Sequence, residues 1–313
     1  MSVGALTAIV TLAAIAPLDV LTRLVMSIRA RSGATAAARA RDLFARAVAP
    51  AAVALGVALI VFLPAFLLFE PAHGGERPGL TLWVLAGVGA GRLAMIVWRA
   101  ARMLVVSHGL VAAWRRQSTP LDAQSWGLPA SAIDAGFPVV AVSGMLRPQL
   151  FIDRSVLDAC SPRELDAIAA HERAHVRNGD NVRRLLIGAS RGPSSTDASA
   201  WRDAAEHAAD EGAATSTARA VELASALLKI ARLAPPPSLD AAVLSTIHDG
   251  GSLVVRVERL LAVDRFQPAA TLSRTSSRLP LALVTAAALA LVTSVPLFRS
   301  VHALLELFVR HLP

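Results

Sequence analysis

Two histidines and a glutamate lie within five consecutive residues of the chain, in the segment His171–His175. Residues four apart share one face of a helix, with about 5–6 Å between their Cβ atoms. Two imidazoles placed in this way can both bind one Zn²⁺ at about 2.0–2.1 Å. Glu172, which follows the first histidine, can then reach the water at the metal as a general base. The spacing therefore predicts metal-assisted hydrolysis, with His171 and His175 as ligands.

The surrounding residues predict a single helix that carries this motif. Ser161–Glu164 (Ser-Pro-Arg-Glu) is a capping box with proline at the first helical position. Leu165, Ile168 and Ala169 form an apolar stripe at helical spacing, and Asn178 with the glycine after it is typical of a helix end. Chance alone gives the His-Glu-x-x-His pattern in roughly one chain in two hundred of this composition. Its place on a capped, striped helix is what favours a metal site.

A zinc ion that catalyses hydrolysis needs a third protein ligand and an open fourth position. A second helix is predicted at Trp201–Ala214, and it carries Glu206 and, one turn later, Asp210. Glu206 as the third ligand, with Asp210 orienting a histidine, would complete the site. Spacing alone leaves two alternatives open. The two acids could form the solvated face of a helix, and His207 is a rival ligand.

Two short strands are predicted before the histidine helix, so the domain is expected to be α+β. Phe137–Ser143 is rich in valine, and the turn after it leads to a second strand at Gln149–Asp153. An extended peptide substrate could pair with either strand if that strand lies at the edge of a sheet.

Four apolar segments surround this domain, and each approaches the length of about 20 residues that crosses a bilayer. They are Val3–Met26, Ala47–Phe69, Leu80–Trp98 and Leu279–Phe298. The composition agrees, since 54% of the residues are hydrophobic and only 17% are charged, against about 25% charged in soluble domains. Asp19 and Arg23 in the first segment are four apart and can neutralise each other. Arg92 in the third is interpreted as a snorkelling or bundle-facing side chain rather than a functional charge.

The arginines predict the orientation of the chain in the membrane. The net charge is +8, and arginines cluster after the first span, after the third span and before the fourth. Positive loops stay in the cytoplasm, so both termini are expected outside the plasma (inner) membrane. Although Ala14–Ala16 resembles a cleavage site, the first segment lacks the basic region of a signal peptide, and we interpret it as a retained span.

Three regions follow from this layout. Residues 1–110 form an N-terminal membrane domain with three spans, and residues 111–265 form a cytoplasmic domain with the histidine motif. Residues 266–313 hold the fourth span and a short tail, Ser300–Pro313, which is expected to lie on the outer surface as an amphipathic end.

Three segments between Phe137 and Leu186 carry a family resemblance. They are the Val-Ser-Gly-Met-Leu-Arg-Pro-Gln-Leu hairpin, the helix start Ser-Pro-Arg-Glu-Leu, and the motif His-Glu-Arg-Ala-His-Val-Arg-Asn-Gly-Asp-Asn. Together with Glu206-x-x-x-Asp210, Val255–Leu261 and the order of spans, they resemble the membrane zinc metallopeptidases of the BlaR/MecR β-lactam-sensing type, which are gluzincin-like.

The resemblance implies one Zn²⁺ per chain and a role for each site residue. The implied residues are His171, His175 and Glu206 as zinc ligands, Glu172 as the base, and Asp210 and Asp180 as supports of the ligands. The chain departs from the family at Ser190–Ser199, which is polar and loop-like where the family is more apolar, and no sensor domain is expected after the fourth span. No Ser-x-x-Lys motif occurs, so direct acylation by a β-lactam is not expected as the input.

The sequence thus predicts a mainly α membrane protein with four transmembrane helices and a cytoplasmic α+β zincin-like metallopeptidase domain between the third and fourth. Its expected activity is zinc-dependent cleavage of a cytoplasmic protein, and the resemblance implies a transcriptional repressor cut in a signalling response. Two alternatives stay open: a membrane quality-control protease of the HtpX/CAAX-protease type, and a non-catalytic membrane receptor or scaffold that retains the metal site. Direct binding to nucleic acid is not expected, because the topology explains the arginines and the chain has no tyrosine for base stacking.

Overall fold

The computed structural model describes residues 3–28, 35–69, 78–122, 124–145, 147–190, 196–233, 250–262, 298–304 and 307. Within these ranges the chain is mostly helical, with one small sheet. The helices are α1 (Val3–Ile28), α2 (Ala36–Val57), α3 (Leu63–Phe69), α4 (Leu80–Arg116), α5 (Arg154–Ala159), α6 (Pro162–Asn178), α7 (Asp180–Ser190), α8 (Thr196–Ala213), α9 (Thr217–Leu233) and α10 (Gly250–Leu261). The strands are β1 (Thr119–Leu121), β2 (Ala130–Ile133), β3 (Val140–Ser143) and β4 (Gln149–Asp153).

Three helical segments among the described residues are long and apolar enough to cross a membrane: Ala5–Ile28, Ala36–Phe69 and Leu80–Arg116. The second and third contain the predicted spans Ala47–Phe69 and Leu80–Trp98, and the first overlaps the predicted span Val3–Met26 except for its first two residues. The second is continuous because a π-helical turn joins α2 to α3. The fourth predicted span, Leu279–Phe298, lies outside the described residues except for its last one.

The second and third membrane helices are longer than a bilayer requires. The 37 residues of α4 span about 55 Å at 1.5 Å per residue, whereas the hydrocarbon core is about 30 Å thick. The α1 and α4 helices approach each other closely, since a Cβ atom on Gly89 would lie 1.9 Å from the Leu12 carbonyl oxygen. A side chain at position 89 would therefore force these two helices apart.

Three charged side chains of the membrane helices, Asp19, Arg23 and Arg92, have polar partners. Arg23 Nε donates to Asp19 Oδ2 at 2.8 Å, which confirms the pairing predicted from their spacing. Arg92 Nη2 donates to the Ser190 carbonyl oxygen at 2.7 Å and lies 3.5 Å from Asp19 Oδ1. Arg92 therefore points into the protein, which agrees with the bundle-facing alternative of the sequence analysis.

The sheet has the strand order β1-β2-β4-β3, with β2 and β4 parallel and the other two pairs antiparallel. The predicted strand Gln149–Asp153 is β4 with the same limits, whereas the predicted strand Phe137–Ser143 is shorter and begins at Val140. Leu150, Phe151 and Ile152 in the central strand β4 are fully buried. Helices α6 and α9 pack against the face that carries Leu150 and Ile152, so the histidine helix rests on the sheet.

The N-terminal half of α2 also forms part of the polar domain's core. Leu43 of α2 packs with Ile187 of α7 and with Trp201 and Ala205 of α8. Helix α8 is longer than predicted, since it begins at Thr196, five residues before the predicted start at Trp201. The loop expected at Ser190–Ser199 is wrong for Ser190, which ends α7, and for its last four residues, which belong to α8. Residues 191–195 lie outside the described part.

Candidate metal centre

The α6 helix begins and ends where the sequence predicts, because both ends are fixed by local hydrogen bonds. The Ser161 hydroxyl accepts from the Glu164 backbone N–H, and the Glu164 carboxylate accepts from the Ser161 backbone N–H. At the other end Gly179 adopts a left-handed conformation, with φ of 70°, and its N–H caps the last turn. His171 and His175 consequently lie on one face of a well-defined helix.

Helix α8 brings Glu206 to this face of α6. His171 Nε2 and His175 Nε2 lie 3.1 Å apart, and the Glu206 carboxylate oxygens lie 3.5 Å from each of them. Zinc bonds of about 2.0–2.2 Å in a tetrahedral arrangement require ligand atoms about 3.3–3.6 Å apart. The two 3.5 Å separations fall in this range, and the 3.1 Å separation of the nitrogens is only slightly shorter. Together with the nitrogen and oxygen chemistry of the three side chains, this spacing suits a zinc ion, and the group can hold a metal.

The second nitrogen of each histidine faces a carboxylate. His175 Nδ1 lies 2.7 Å from Asp180 Oδ2, and Asp180 is the first residue of α7, directly after the Gly179 turn. His171 Nδ1 lies 3.0 Å from Asp210 Oδ1, a close ionic contact whose angle is not that of a hydrogen bond. Such carboxylate partners fix the orientation of a metal-binding imidazole and raise its basicity. The structure places Asp180 and Asp210 beside the two histidines, and their supporting roles stay a prediction.

Arg256 of α10 is a site residue for which the sequence analysis predicted no role. Its Nε and Nη2 atoms donate to the two carboxylate oxygens of Asp210 at 2.8 Å, and Nη1 lies 3.1 Å from Glu206 Oε2. A signal was present in the sequence, since Arg256 falls between Leu253 and Leu260 on the buried side of an amphipathic helix. An arginine at such a position must have a buried anionic partner.

The site favours positive charge at its centre. Burial alone would lower the pKa of His175, but the contacts with Asp180 and Glu206 outweigh it and raise the pKa to about 10. Burial would raise the pKa of Asp210, but Arg256 and His171 hold it at about 2. The pKa of Glu206 is likewise held well below its usual value despite burial, by His171, His175 and Arg256. The acids and the histidines thus favour each other's charged forms, which is the electrostatic environment that a bound cation requires.

Glu172 and His207 lie beside the three-residue group rather than in it. Glu172 is half-buried on α6 next to His171, and its role as general base stays a prediction. His207 is half-buried, and its pKa is lowered, first by burial and then by Arg259. The rival ligand His207 is thus not among the residues that converge, whereas Glu206 is.

A comparison with protein families links the histidine helix to peptidases. Residues 141–196 match peptidase family M48, a stretch that runs from β3 to the start of α8 and includes His171, Glu172, His175 and Asp180. Glu206, Asp210 and Arg256 lie beyond the matched stretch. No curated protein matches the chain. The match, together with the three apolar helices, supports a membrane-associated metallopeptidase, while the BlaR/MecR relationship stays a prediction.

Proposed function

We propose that the protein is a membrane-anchored, zinc-dependent endopeptidase that cleaves a cytoplasmic protein. The observation that carries this proposal is the convergence of His171, His175 and Glu206 from α6 and α8, at distances that suit zinc. The peptidase family match over the histidine helix supports hydrolysis of peptide bonds rather than a purely structural metal.

In this function His171, His175 and Glu206 hold the metal, and Asp180 and Asp210 keep the two imidazoles in place. Bound zinc would supply a Lewis acid that polarises the scissile carbonyl. Glu172 takes a proton from the attacking water and passes it to the amine of the leaving group, which is general acid–base catalysis by one carboxylate.

Of the two strands predicted to bind an extended substrate, β3 and β4, only β3 lies at an edge of the sheet. Strand β4 is paired on both sides, by β2 and β3, so it has no free edge. Strand β3 is an edge strand, and the backbone groups of Val140 and Val142 point away from β4 because Asp153 N–H donates to the Val139 carbonyl. A peptide backbone adds to β3 in this proposal, as in other complexes formed by strand addition.

The outer edge of β3 is also connected to the metal centre, because one of its outward-pointing carbonyls, that of Val142, already accepts a hydrogen bond from Asn181. Asn181 Nδ2 donates to the Val142 carbonyl oxygen at 3.2 Å, and Asn181 follows Asp180, the partner of His175. A substrate paired with β3 would therefore lie close to the residues that support the metal.

A substrate-trapping experiment tests this function. Cells that produce the Glu172→Gln variant should accumulate a protein that cells with the parental protein cleave, and purified parental protein with Zn²⁺ should cleave that protein in detergent. A soluble cytoplasmic regulator as the trapped protein supports the signalling role, whereas a set of damaged membrane proteins supports quality control. Identical proteomes and phenotypes of the two strains would instead favour the non-catalytic scaffold.

A further inference from the structure

Arg256 joins two acids of the metal centre through one guanidinium group. Two of its nitrogens bind both oxygens of Asp210 at 2.8 Å, and the third lies 3.1 Å from Glu206 Oε2. The arginine is only 7% exposed. Breaking a buried ion pair of this kind is costly because it leaves an uncompensated charge inside the protein.

The two acids need such a partner because of their spacing. Glu206 and Asp210 are one turn apart on α8, so their negative charges repel each other in a buried site. The planar guanidinium can bind both carboxylates at fixed angles, whereas a lysine would supply a single point charge. The ion pair with Oε2 at 3.1 Å also restrains the Glu206 carboxylate.

The contact is passed on to the first histidine. Asp210 Oδ1 accepts from Arg256 Nη2 at 2.8 Å and lies 3.0 Å from His171 Nδ1. Arg256 therefore fixes the position of the Asp210 carboxylate, and this carboxylate in turn contacts the His171 ring. One guanidinium thus contacts Glu206 directly and His171 through Asp210, which are two of the three predicted ligands.

We propose that Arg256 is a positioning residue of the metal centre, which holds Glu206 in the orientation that binds zinc and fixes the His171 ring through Asp210. This inference rests on the proposed function. Because Arg256 comes from α10, the centre is fully assembled only when α10 is docked, and Leu260 packs it against Ala220 and Leu223 of α9.

Arg259 provides a matched control on the same helix. It lies three residues after Arg256, and its Nη2 atom donates to Glu211 Oε1 at 2.9 Å. Its side chain is 47% exposed, so this is a surface ion pair. An Arg259→Gln substitution removes the same charge from the same helix without touching Glu206 or Asp210.

The test is a Zn²⁺ titration of the full-length protein in detergent, after metal removal, against a chromophoric chelator. The parental protein and Arg259→Gln should bind one Zn²⁺ with affinities that agree within about twofold. Arg256→Gln should bind about 10–100-fold more weakly, as is typical when a partner of a metal ligand is lost. Arg256→Lys should be intermediate, and the absorption bands of bound Co²⁺ should shift in both Arg256 variants because they report ligand geometry.

Each outcome decides one of the two proposals. If the parental protein binds no Zn²⁺, the proposed function fails. If it binds Zn²⁺ and the Arg256 variants bind equally well with unchanged Co²⁺ spectra, only the role of Arg256 fails. Should Arg256→Gln not fold, Arg256→Lys decides in its place. Loss of folding in both variants that Zn²⁺ does not restore would make Arg256 a packing residue and overturn the proposal.

Discussion

Arg92 in the third membrane helix donates a 2.7 Å hydrogen bond to the carbonyl oxygen of Ser190, the last residue of α7. The first residue of α7 is Asp180, whose Oδ2 atom lies 2.7 Å from His175 Nδ1. One helix of 11 residues, about 16 Å long, thus connects a charge in the membrane region to the metal centre. The polar domain is anchored on the membrane helices at the end of α7 opposite the site.

Replacing Arg92 should weaken this anchor. Arg92→Gln shortens the side chain and leaves the Ser190 carbonyl without this donor, and such a loss costs about 1–3 kcal/mol. We expect a lower thermal unfolding temperature in detergent with one Zn²⁺ still bound. Arg102→Gln is the control, because the Arg102 guanidinium lies 5.5 Å from the Trp98 ring and its side chain is exposed. An equal decrease in both variants would show that the Arg92 contact has no special weight.

The three converging side chains should be required for metal binding. His171→Ala or His175→Ala should abolish binding of Zn²⁺, and Glu206→Ala should weaken it strongly, because two remaining ligands are too few for a stable site. His207→Ala should bind Zn²⁺ like the parental protein. Metal analysis of the purified variants measures this directly, and stoichiometric zinc in His171→Ala would refute the ligand assignment.

The sequence was most informative where the determinants of structure are local. The limits of α6 depend on the Ser161 capping box and on Gly179, and both are visible within a few residues. The strand Gln149–Asp153 is likewise identified by a local feature, its short apolar run. Local hydrogen-bonding groups and hydrophobic patterns were sufficient for these elements.

Elements that depend on distant partners were missed. Strand β2 (Ala-Ser-Ala-Ile) has little β-branched bulk and exists because it pairs in parallel with β4, about 20 residues later. Helix α8 starts before its predicted limit, and Ala198 and Ala200 in its first turns pack against the cluster that includes Leu43 of α2, more than 150 residues earlier. The partners of Arg256 are 46 or more residues away, so no local pattern could identify them.

Glu164 should make stability depend on pH in the acidic range. Burial alone would raise its pKa, but hydrogen bonds from Lys229, Ser225 and Ser161 hold it at about 2. A group whose pKa is lowered on folding contributes stability that is fully present above its unfolded pKa, about 4.3, and is lost as the pH falls towards 2. The thermal unfolding temperature of the chelator-treated parental protein should therefore fall over this interval.

The matched variants isolate this contribution. Glu164→Gln should be less stable near neutral pH by about 1–3 kcal/mol, because it loses charge-assisted hydrogen bonds, and should show a smaller fall between pH 4.3 and 2. Asp158→Asn, which removes an exposed acid from α5, should follow the parental curve. If Glu164→Gln retains the full acid dependence, other carboxylates are responsible for it.

The proposed orientation in the membrane is open to reporter fusions. Fusions after Arg41 and at points between Arg116 and Arg265 should report a cytoplasmic location, because the arginine-rich loops stay inside. Fusions near His73 and at the C-terminus should report an external location. An external signal from fusions near His171 would reverse the topology and exclude cytoplasmic substrates.

Glu172 lies on α6 directly after His171, and its proposed role is that of the general base. Glu172→Gln is nearly isosteric, so α6 should keep its packing and His171, His175 and Glu206 should still bind one Zn²⁺. The amide cannot take a proton from the attacking water, and the loss of general-base catalysis lowers a rate by about 10²–10⁴-fold. The cleavage rate of the trapped substrate, with zinc content measured on the same sample, checks both parts. Asp210→Asn should cost less in rate, about 10–100-fold, and part of that cost should appear as weaker zinc binding because Asp210 supports His171. Cleavage by Glu172→Gln at the parental rate would remove Glu172 from the mechanism and leave His171 and His175 as a structural metal site at most.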